Sequence, residues 1–332
     1  MIKFSIVIPV YNRPDEVAEL LESLTKQTDK GFEVLVIEDG SSVPCKDVCE
    51  RYEKQLDLHY YFKPNSGRSE TRNFGIEHAT GDWFIIYDSD VIVPPHYIAT
   101  VRAELAKNAV DCYGGPDAAD DSFSDVQKAI NYSMTSVMTT GGIRGATKNK
   151  EKFSPRSFNM GISRRCFETV GGYKNMIGED IDLSIRIKDA GFKTTLIPEA
   201  YVYHKRRVDL KKFFRQVHTF GKGRVLLGEL HPGSLKLVHL LPAAFVIGNI
   251  GLVLLAIGFA FVIGYWSLLI LVPIVLYILG IFCESLLKNK SVKIALLSIV
   301  AAYMQLFGYG TGFLGECITH KARKAKQEEL YK

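Results

Sequence analysis

Three long uncharged stretches in the last third of the chain limit most strongly what it can fold into. They run from Leu240 to Gly264, from Trp266 to Cys283 and from about Ile294 to Gly315. The first has roughly 25 residues, enough α-helix to cross a hydrocarbon core of about 30 Å. Because three such stretches in succession are not typical of soluble core helices, we expect this region to enter a membrane.

The whole chain is long enough for one large domain and a further region. Its 332 residues carry a formal net charge of +5, and 47% of them are hydrophobic. The six cysteines include no C-x-x-C pair, which predicts reduced, packed thiols in a cytosolic domain. The N-terminal apolar run has no small-residue cleavage site, so we expect no secretory signal. We expect no nucleic-acid partner.

Up to about residue 115, strand-like runs alternate with helical ones. The strand-like runs read FSIVIPVY, FEVLVIED, LHYYFK and DWFIIYD, and the predicted helices cover PDEVAELLESLTKQ, 44–55 and 68–79. The alternation predicts an α/β fold with a mostly parallel sheet covered on both faces.

The region from about 115 to 175 is less regular. We expect a helix over Ser124–Met138 and a mobile, basic loop over Gly141–Lys152. The run EDIDLSIRIKDAG then predicts an amphipathic helix that ends at Gly191, and KTTLIPEAYVYH has strand character.

A basic stretch precedes the uncharged ones. Eight basic residues lie between Lys205 and Arg224, opposed only by Asp209, and apolar and aromatic residues interleave with them at helical spacing. This pattern suits a helix in the headgroup region of an anionic membrane. The basic face of a soluble helix is the alternative.

The membrane topology stays open at this stage. The basic loop Lys288–Lys293 is expected to face the cytoplasm, and Tyr265 and Trp266 suit an interfacial belt at a tight hairpin. Three full crossings would place the basic tail after residue 318 outside, against the positive-inside rule. The Gly-rich third segment is either re-entrant or a true crossing.

Asp88-Ser89-Asp90 directly follows the apolar run DWFIIYD. Carboxylates in this position project from the carboxyl end of a strand, where open α/β sheets bind ligands. Two oxygen ligands that leave other positions open suit a hard divalent cation that also holds substrate phosphates. A polar turn is the alternative interpretation of these residues alone.

Six motifs in order resemble a known family. They read SIVIPVYNR, VLVIEDGSS, NSGRSETRNFGI, GDWFIIYDSD, FNMGISRRCFETVGGY and GEDIDLSIRIKDAGF. Over about residues 3–205 the chain resembles the family 2 glycosyltransferases of the GT-A fold, in the membrane-attached ExoA-like branch. The resemblance implies a GT-A nucleotide-diphospho-sugar transferase domain over 1–205, a basic interfacial helix over 206–236, a transmembrane region of about three segments over 237–318, and a basic tail over 319–332.

The resemblance also implies which residues bind the nucleotide-sugar. Asp39 would contact the nucleotide base, Tyr11 would stack in the same pocket, and Arg72 would bind the nucleotide. The implied set is Pro9, Val10, Tyr11, Asp39, Arg72, Asp88 and Ser89. A turn-capping Asp39, a packed Tyr11 and a structural ion pair at Arg72 are the alternatives.

The resemblance implies a metal site and a catalytic pair. Asp90 would ligate Mn²⁺ or Mg²⁺ between the two phosphates, Asp88 would bind the same cation or the sugar, and His204 would be a further ligand that favours Mn²⁺. Glu179 and Asp180 match the catalytic E-D pair, with Asp180 as general base for inverting transfer. A surface histidine and an acidic helix N-terminus favoured by the helix dipole are the alternatives.

One departure from the family's processive synthases bears on the product. Their Q-x-x-R-W motif is replaced here by Gln216-Val217-His218-Thr219-Phe220. We therefore expect addition of one sugar to a lipid-linked or glycan acceptor in cell-surface polysaccharide or glycolipid assembly. The resemblance implies UDP as the default nucleotide, with GDP as the alternative. Lys222 and Arg224 would face the pyrophosphate or the lipid headgroups.

The expected location is the inner (cytoplasmic) membrane, as a multi-pass protein with its catalytic domain in the cytoplasm. Two other functions stay open. One is sugar transfer to polyprenyl phosphate itself, and the other is a non-catalytic scaffold that binds nucleotide-sugar.

Overall fold

A computed structural model describes residues 2–118, 123–140, 153–204 and 209–330, with side chains up to residue 320. The predicted loop Gly141–Lys152 lies outside the described residues. The chain forms two compact units: the first unit is Met1–Asp120 with Thr147–Lys205, and the second unit is Asp121–Ala146 with Arg206–Lys332. The second unit thus takes a piece from the middle of the region predicted as one domain over 1–205.

The first unit contains two β-sheets. Its strands are β1 Phe4–Val10, β2 Phe32–Asp39, β3 Leu58–Lys63, β4 Trp83–Tyr87, β5 Val91–Ile92, β6 Cys112–Gly114, β7 Asp117–Ala118, β8 Asn159–Ser163, β9 Thr194–Leu196 and β10 Val202–His204. The larger sheet has the order β3-β2-β1-β4-β8-β6-β9, and the smaller one has the order β5-β10-β7. Strands β3, β2, β1 and β4 are parallel, whereas β8 runs antiparallel to β4 and β6.

The described part of the chain has eight α-helices between β1 and β9, six of them in the first unit. In chain order they are α1 Pro14–Thr25, α2 Lys46–Glu50, α3 Arg68–His78, α4 Tyr97–Lys107, α5 Asp125–Thr135, α6 Val137–Thr140, α7 Arg164–Val170 and α8 Glu179–Asp189, of which α5 and α6 belong to the second unit. All eight residues of β2 are buried, as expected for a strand covered on both faces. Two separate apolar clusters form the core of this unit.

The predicted α/β class and mostly parallel sheet are confirmed. Several boundaries differ from the predictions: α2 is shorter than the predicted 44–55, and the predicted Ser124–Met138 helix divides at Ser136 into α5 and α6. The single strand expected near residue 200 divides into β9 and β10, which belong to different sheets. Periodicity did not reveal the antiparallel β8, because a buried strand has the same pattern in either direction.

The second unit is helical in its described residues. After α5 and α6 come α9 Leu210–Leu230, a 3-10 helix Leu237–Leu240, α10 Leu241–Ile263, a 3-10 helix Gly264–Leu271, α11 Val272–Asn289 and α12 Val292–Leu330. Two helical segments are long and apolar enough to cross a membrane: Leu237–Asn289, with a mean hydropathy of 2.6, and Val292–His320, with 1.5. The three predicted apolar stretches therefore lie in two segments, and the third stretch belongs to a continuous helix.

Candidate active site

Asp88, Asp90 and His204 lie together at the carboxyl edge of the larger sheet. Asp88 directly follows β4, and Asp90 directly precedes β5. Because β5 pairs antiparallel with β10 in a register that places Val91 opposite His204, the imidazole lies beside Asp90. His204 Nε2 is 3.1 Å from Asp90 Oδ1. One ligand atom from each of the three residues lies within 4.8 Å of the other two.

The ring of His204 is held in place by an aromatic neighbour. Phe158 stacks on it, with ring centroids 4.8 Å apart and planes 19° from parallel. Two carboxylates and an imidazole are donors that suit Mn²⁺, and the two carboxylates alone suit Mg²⁺. The chemistry and spacing of this trio therefore fit a divalent cation.

Arg72, in α3, joins this acidic trio to the start of α8. Its Nη2 donates to Asp88 at 2.8 Å, and its Nη1 donates to Glu179 at 2.9 Å. The side chain is only 3% exposed. Burial by itself lowers the pKa of the Arg72 guanidinium, but the charge of Asp88 and the neighbouring Tyr173 and Glu179 outweigh that effect and raise it. Arg72 therefore stays charged and connects two predicted motifs.

Glu179 and Asp180 begin α8, and each has an arginine partner. Glu179 is 3% exposed and accepts from Arg72 through Oε1 and from Arg68 through Oε2, the latter at 2.7 Å. Asp180 Oδ2 lies 3.5 Å from Arg156 Nη1, in a looser ion pair. Both Glu179 oxygens thus accept short hydrogen bonds from arginines. Asp180 accepts from the backbone N–H of Ile181 and pairs only loosely with an arginine, so it is the more available of the two carboxylates.

Asp39 ends β2 and holds the loop ahead of α3. Its carboxylate accepts from Lys63 Nζ, from the backbone N–H of Ser66 at 2.9 Å and from that of Gly67 at 3.0 Å. Burial favours the neutral acid, but these hydrogen bonds outweigh it and lower the pKa of Asp39. The side chain of Thr71 adds a further hydrogen bond, so Asp39 is ionised and held firmly at the end of β2.

The remaining predicted nucleotide-sugar residues flank the same edge. Pro9 and Val10 end β1, beside β2 and β4, and Val10 is buried. Tyr11 is 53% exposed, so its ring is accessible for stacking and is not a packed core residue. Ser89 is buried, and its hydroxyl donates to Glu16 at 3.4 Å.

Lys222 and Arg224 belong to α9, which is part of the second unit. Among the residues that contact the predicted site, sequence reasoning missed the side chains of Lys63, Arg68, Arg156 and Phe158. The sequence could have indicated Arg68 as a site residue, because it precedes Arg72 by four residues and so lies on the same face of a helix. The other three are set by tertiary pairing, which gives no local pattern.

The sequence model of one family, described as glycosyl transferase family 2, matches residues 5–171. Among individual proteins, the glycosyltransferase AglE of Haloferax volcanii is 26% identical over 264 residues, which cover 74% of this chain and 80% of AglE. An uncharacterized glycosyltransferase of Rickettsia felis is 40% identical over 88 residues, or 26% of this chain. The match covers only 15% of the length of that Rickettsia protein.

Two solved structures have a similar fold. The mannosyltransferase PcManGT of Pyrobaculum calidifontis, in complex with GDP-Man and Mn²⁺, aligns with a TM-score of 0.66 at 16% identity over 92% of this chain and 87% of its own. Residues 1–349 of S. aureus TarS align with a TM-score of 0.51 at 17% identity over 94% of this chain and 90% of that one. At these identities the likeness establishes the fold alone.

Proposed function

The chain belongs to glycosyl transferase family 2, and we propose that it is a membrane-anchored, inverting enzyme that transfers one sugar from a nucleotide-sugar to a lipid-linked or glycan acceptor. The observation that carries this proposal is the trio Asp88, Asp90 and His204, linked through Arg72 to the start of α8. This arrangement would bring a cation site and a candidate general base to one edge of the sheet, where ligands of such sheets bind.

The trio would hold Mn²⁺ or Mg²⁺. A bound cation would neutralise charge that develops on the diphosphate leaving group. Asp90 and His204 would supply direct ligands. One oxygen of Asp88 accepts a hydrogen bond from Arg72, so its other oxygen would face the cation or the nucleotide-sugar. The protein's part is to fix these groups before the donor arrives, so that little reorganisation is needed at the reaction step.

Asp180 would act as the general base for the acceptor hydroxyl. Glu179 has both oxygens engaged by arginines, so its proposed role is to position the start of α8. Asp180 pairs only loosely with Arg156, at 3.5 Å, which leaves its carboxylate able to accept a proton. In-line attack from that side would invert the configuration at the anomeric carbon.

Asp39 and Tyr11 would bind the nucleotide base. Asp39 is ionised and lies at the carboxyl end of β2, and Tyr11 offers an exposed ring. Because of the family to which the chain belongs, we expect a UDP-sugar as the default donor. The GDP-Man complex of PcManGT makes GDP-sugars the first alternative to test.

The acceptor would be reached at the surface of the inner (cytoplasmic) membrane, with the first unit in the cytoplasm. Support comes from the two apolar helical segments and from basic α9, whose Lys211, Lys212 and Arg215 are close in sequence. Lys222 and Arg224, about two turns or more further along, would meet lipid headgroups or the pyrophosphate of a lipid-linked acceptor. A multi-pass anchor would keep such an acceptor within reach.

The test is donor binding and turnover by the full chain in detergent across UDP- and GDP-sugars, with and without Mn²⁺. We expect one nucleotide class to bind in a Mn²⁺-dependent way, and Asp90→Ala to lose both binding and turnover. The matched control is Asp57→Ala, because Asp57 lies in a similar acidic trio with Glu33 and His59 at the start of β3. Equal donor binding by Asp90→Ala, together with turnover that resists chelators, would refute the cation role.

A further inference from the structure

The segment from α10 to α11 forms a hairpin that has little protein around it. Its outer residues are exposed; Phe261 is 89% and Val262 77% exposed. Of the 18 consecutive residues with the highest hydropathy in this segment, only 11% are buried. Burial of so many large apolar side chains is strongly favourable, so in water this hairpin would need a partner.

The two legs of the hairpin meet near its base. Phe245 in α10 and Tyr277 in α11 have ring centroids 5.1 Å apart, and the 3-10 helix Gly264–Leu271 packs back along α10. The chain reverses at Gly264, where φ is +59°, and Tyr265 and Trp266 follow directly. The leg from Phe245 to Ile263 extends roughly 27 Å at 1.5 Å per residue. That length is close to the thickness of a bilayer core.

Helix α12 has a different environment. Gly221 and Gly312 have no room for a Cβ, because the backbone of the opposite helix lies against each of them, at Tyr309 and His218 respectively. Helices α9 and α12 therefore pack backbone to backbone. Val217 contacts Gly308, and further along Glu229 pairs with His320, so the two helices run in the same direction.

Helix α12 packs against α9, α5 and the hairpin helices α10 and α11, and the first two of these carry charged residues. Helix α9 exposes Lys211, Lys212 and Arg215, and α5 contributes Asp125, which pairs with Lys293 at 2.8 Å. A helix that crossed a bilayer beside α9 would take those charges into hydrocarbon, at a cost of about 2.5 kcal/mol or more for each one near the centre. At the start of α12, the large exposed apolar residues form a single stripe, Val292, Leu296 and Val300, at a spacing of four.

We propose that only the hairpin from α10 to α11 crosses the membrane, and that α12 lies with α5 and α9 on the side from which the chain entered. The occupant of the hairpin surface is the lipid bilayer. This inference rests on the proposed membrane attachment. It removes the conflict with the positive-inside rule, because an even number of crossings places the loop Lys288–Lys293 and the residues after His320 on one side.

The test is side-specific cysteine labelling of the full chain with a membrane-impermeant maleimide, in spheroplasts and in inverted vesicles. The background is Cys283→Ser with Cys317→Ser, since the other four thiols are buried. The reporters are Lys211→Cys in α9, Tyr265→Cys at the turn and Thr319→Cys in α12, all exposed positions. We expect Lys211→Cys and Thr319→Cys to react only in inverted vesicles, and Tyr265→Cys only in spheroplasts.

Reaction of Thr319→Cys in spheroplasts would mean three crossings and would overturn the proposal. Reaction of Tyr265→Cys on the same side as Lys211→Cys, or on neither side, would overturn it as well. Membrane attachment itself is judged separately, by retention of the chain in the membrane after a carbonate wash. Release as a soluble oligomer would show that a second copy of the chain covers the hairpin, and would end the proposed attachment together with the topology.

Discussion

Replacement of Arg72 by methionine tests whether one buried guanidinium holds the site together. Arg72 is 3% exposed and pairs with Asp88 and Glu179. Loss of one partner from a buried pair costs about 3 to 5 kcal/mol. We expect the low end, about 3 kcal/mol, because Glu179 keeps Arg68 and Asp88 is 35% exposed. For a domain of this size that corresponds to a fall in melting temperature of roughly 6 to 12 °C.

Arg68→Met is the matched control. Arg68 pairs with the other oxygen of Glu179, but its side chain is 60% exposed. Exposed pairs contribute at most about 1 kcal/mol, so we expect a fall of no more than about 4 °C.

The assay is thermal unfolding of the full chain in detergent, followed by tryptophan fluorescence. The chain has two tryptophans, and a Trp266→Phe background leaves Trp83, buried at the start of β4, as the reporter of unfolding of the first unit. The Arg72→Met variant is also expected to bind Mn²⁺ and donor more weakly, because Asp88 loses the group that orients it. Equal melting temperatures for Arg72→Met and Arg68→Met would refute the argument that burial makes Arg72 the central partner.

Two further predictions concern single carboxylates. The Asp180→Asn variant is expected to keep donor binding and to lose sugar transfer. Near-normal transfer would contradict the role of Asp180 as general base. Mild impairment would favour a phosphate acceptor, which needs little assistance from a base. Asp39 has a lowered pKa, so its stabilising effect is complete above the ordinary pKa of 3.8 and is lost as the pH falls through the folded-state value. The free energy of unfolding from urea titrations should therefore fall less steeply below about pH 4 for Asp39→Asn than for the unsubstituted chain, and equal slopes would contradict the assignment.

Much of the fold and the placement of the acidic motifs follow from the sequence. A buried strand followed by carboxylates places Asp88 and Asp90 at the carboxyl edge of a parallel sheet, whatever the details of packing. The apolar spacing of EDIDLSIRIKDAG places Glu179 and Asp180 at a helix start. These predictions depend on local periodicity, which a single sequence contains.

The partners of those carboxylates could not be predicted in the same way. Arg72 and Arg68 meet Glu179 across 107 and 111 residues, and no local spacing relates them. The environment of α12 is another case: its composition is that of a membrane span, and the proposed topology depends on its packing against charged α9. Hydropathy measures the residue types in a helix, whereas the position of that helix depends on its neighbours.

Helix α3 connects three separate motifs of the proposed site. Its first turn is held by Asp39, which accepts from the N–H groups of Ser66 and Gly67 just ahead of the helix, where the dipole favours a negative charge. Its second turn carries Arg72, which fixes Asp88 on one side and Glu179 on the other. A single rigid helix thus joins the proposed base-binding, cation-binding and proton-accepting groups. Since small errors in placement are costly in catalysis, any substitution that shifts α3 should impair all three roles together.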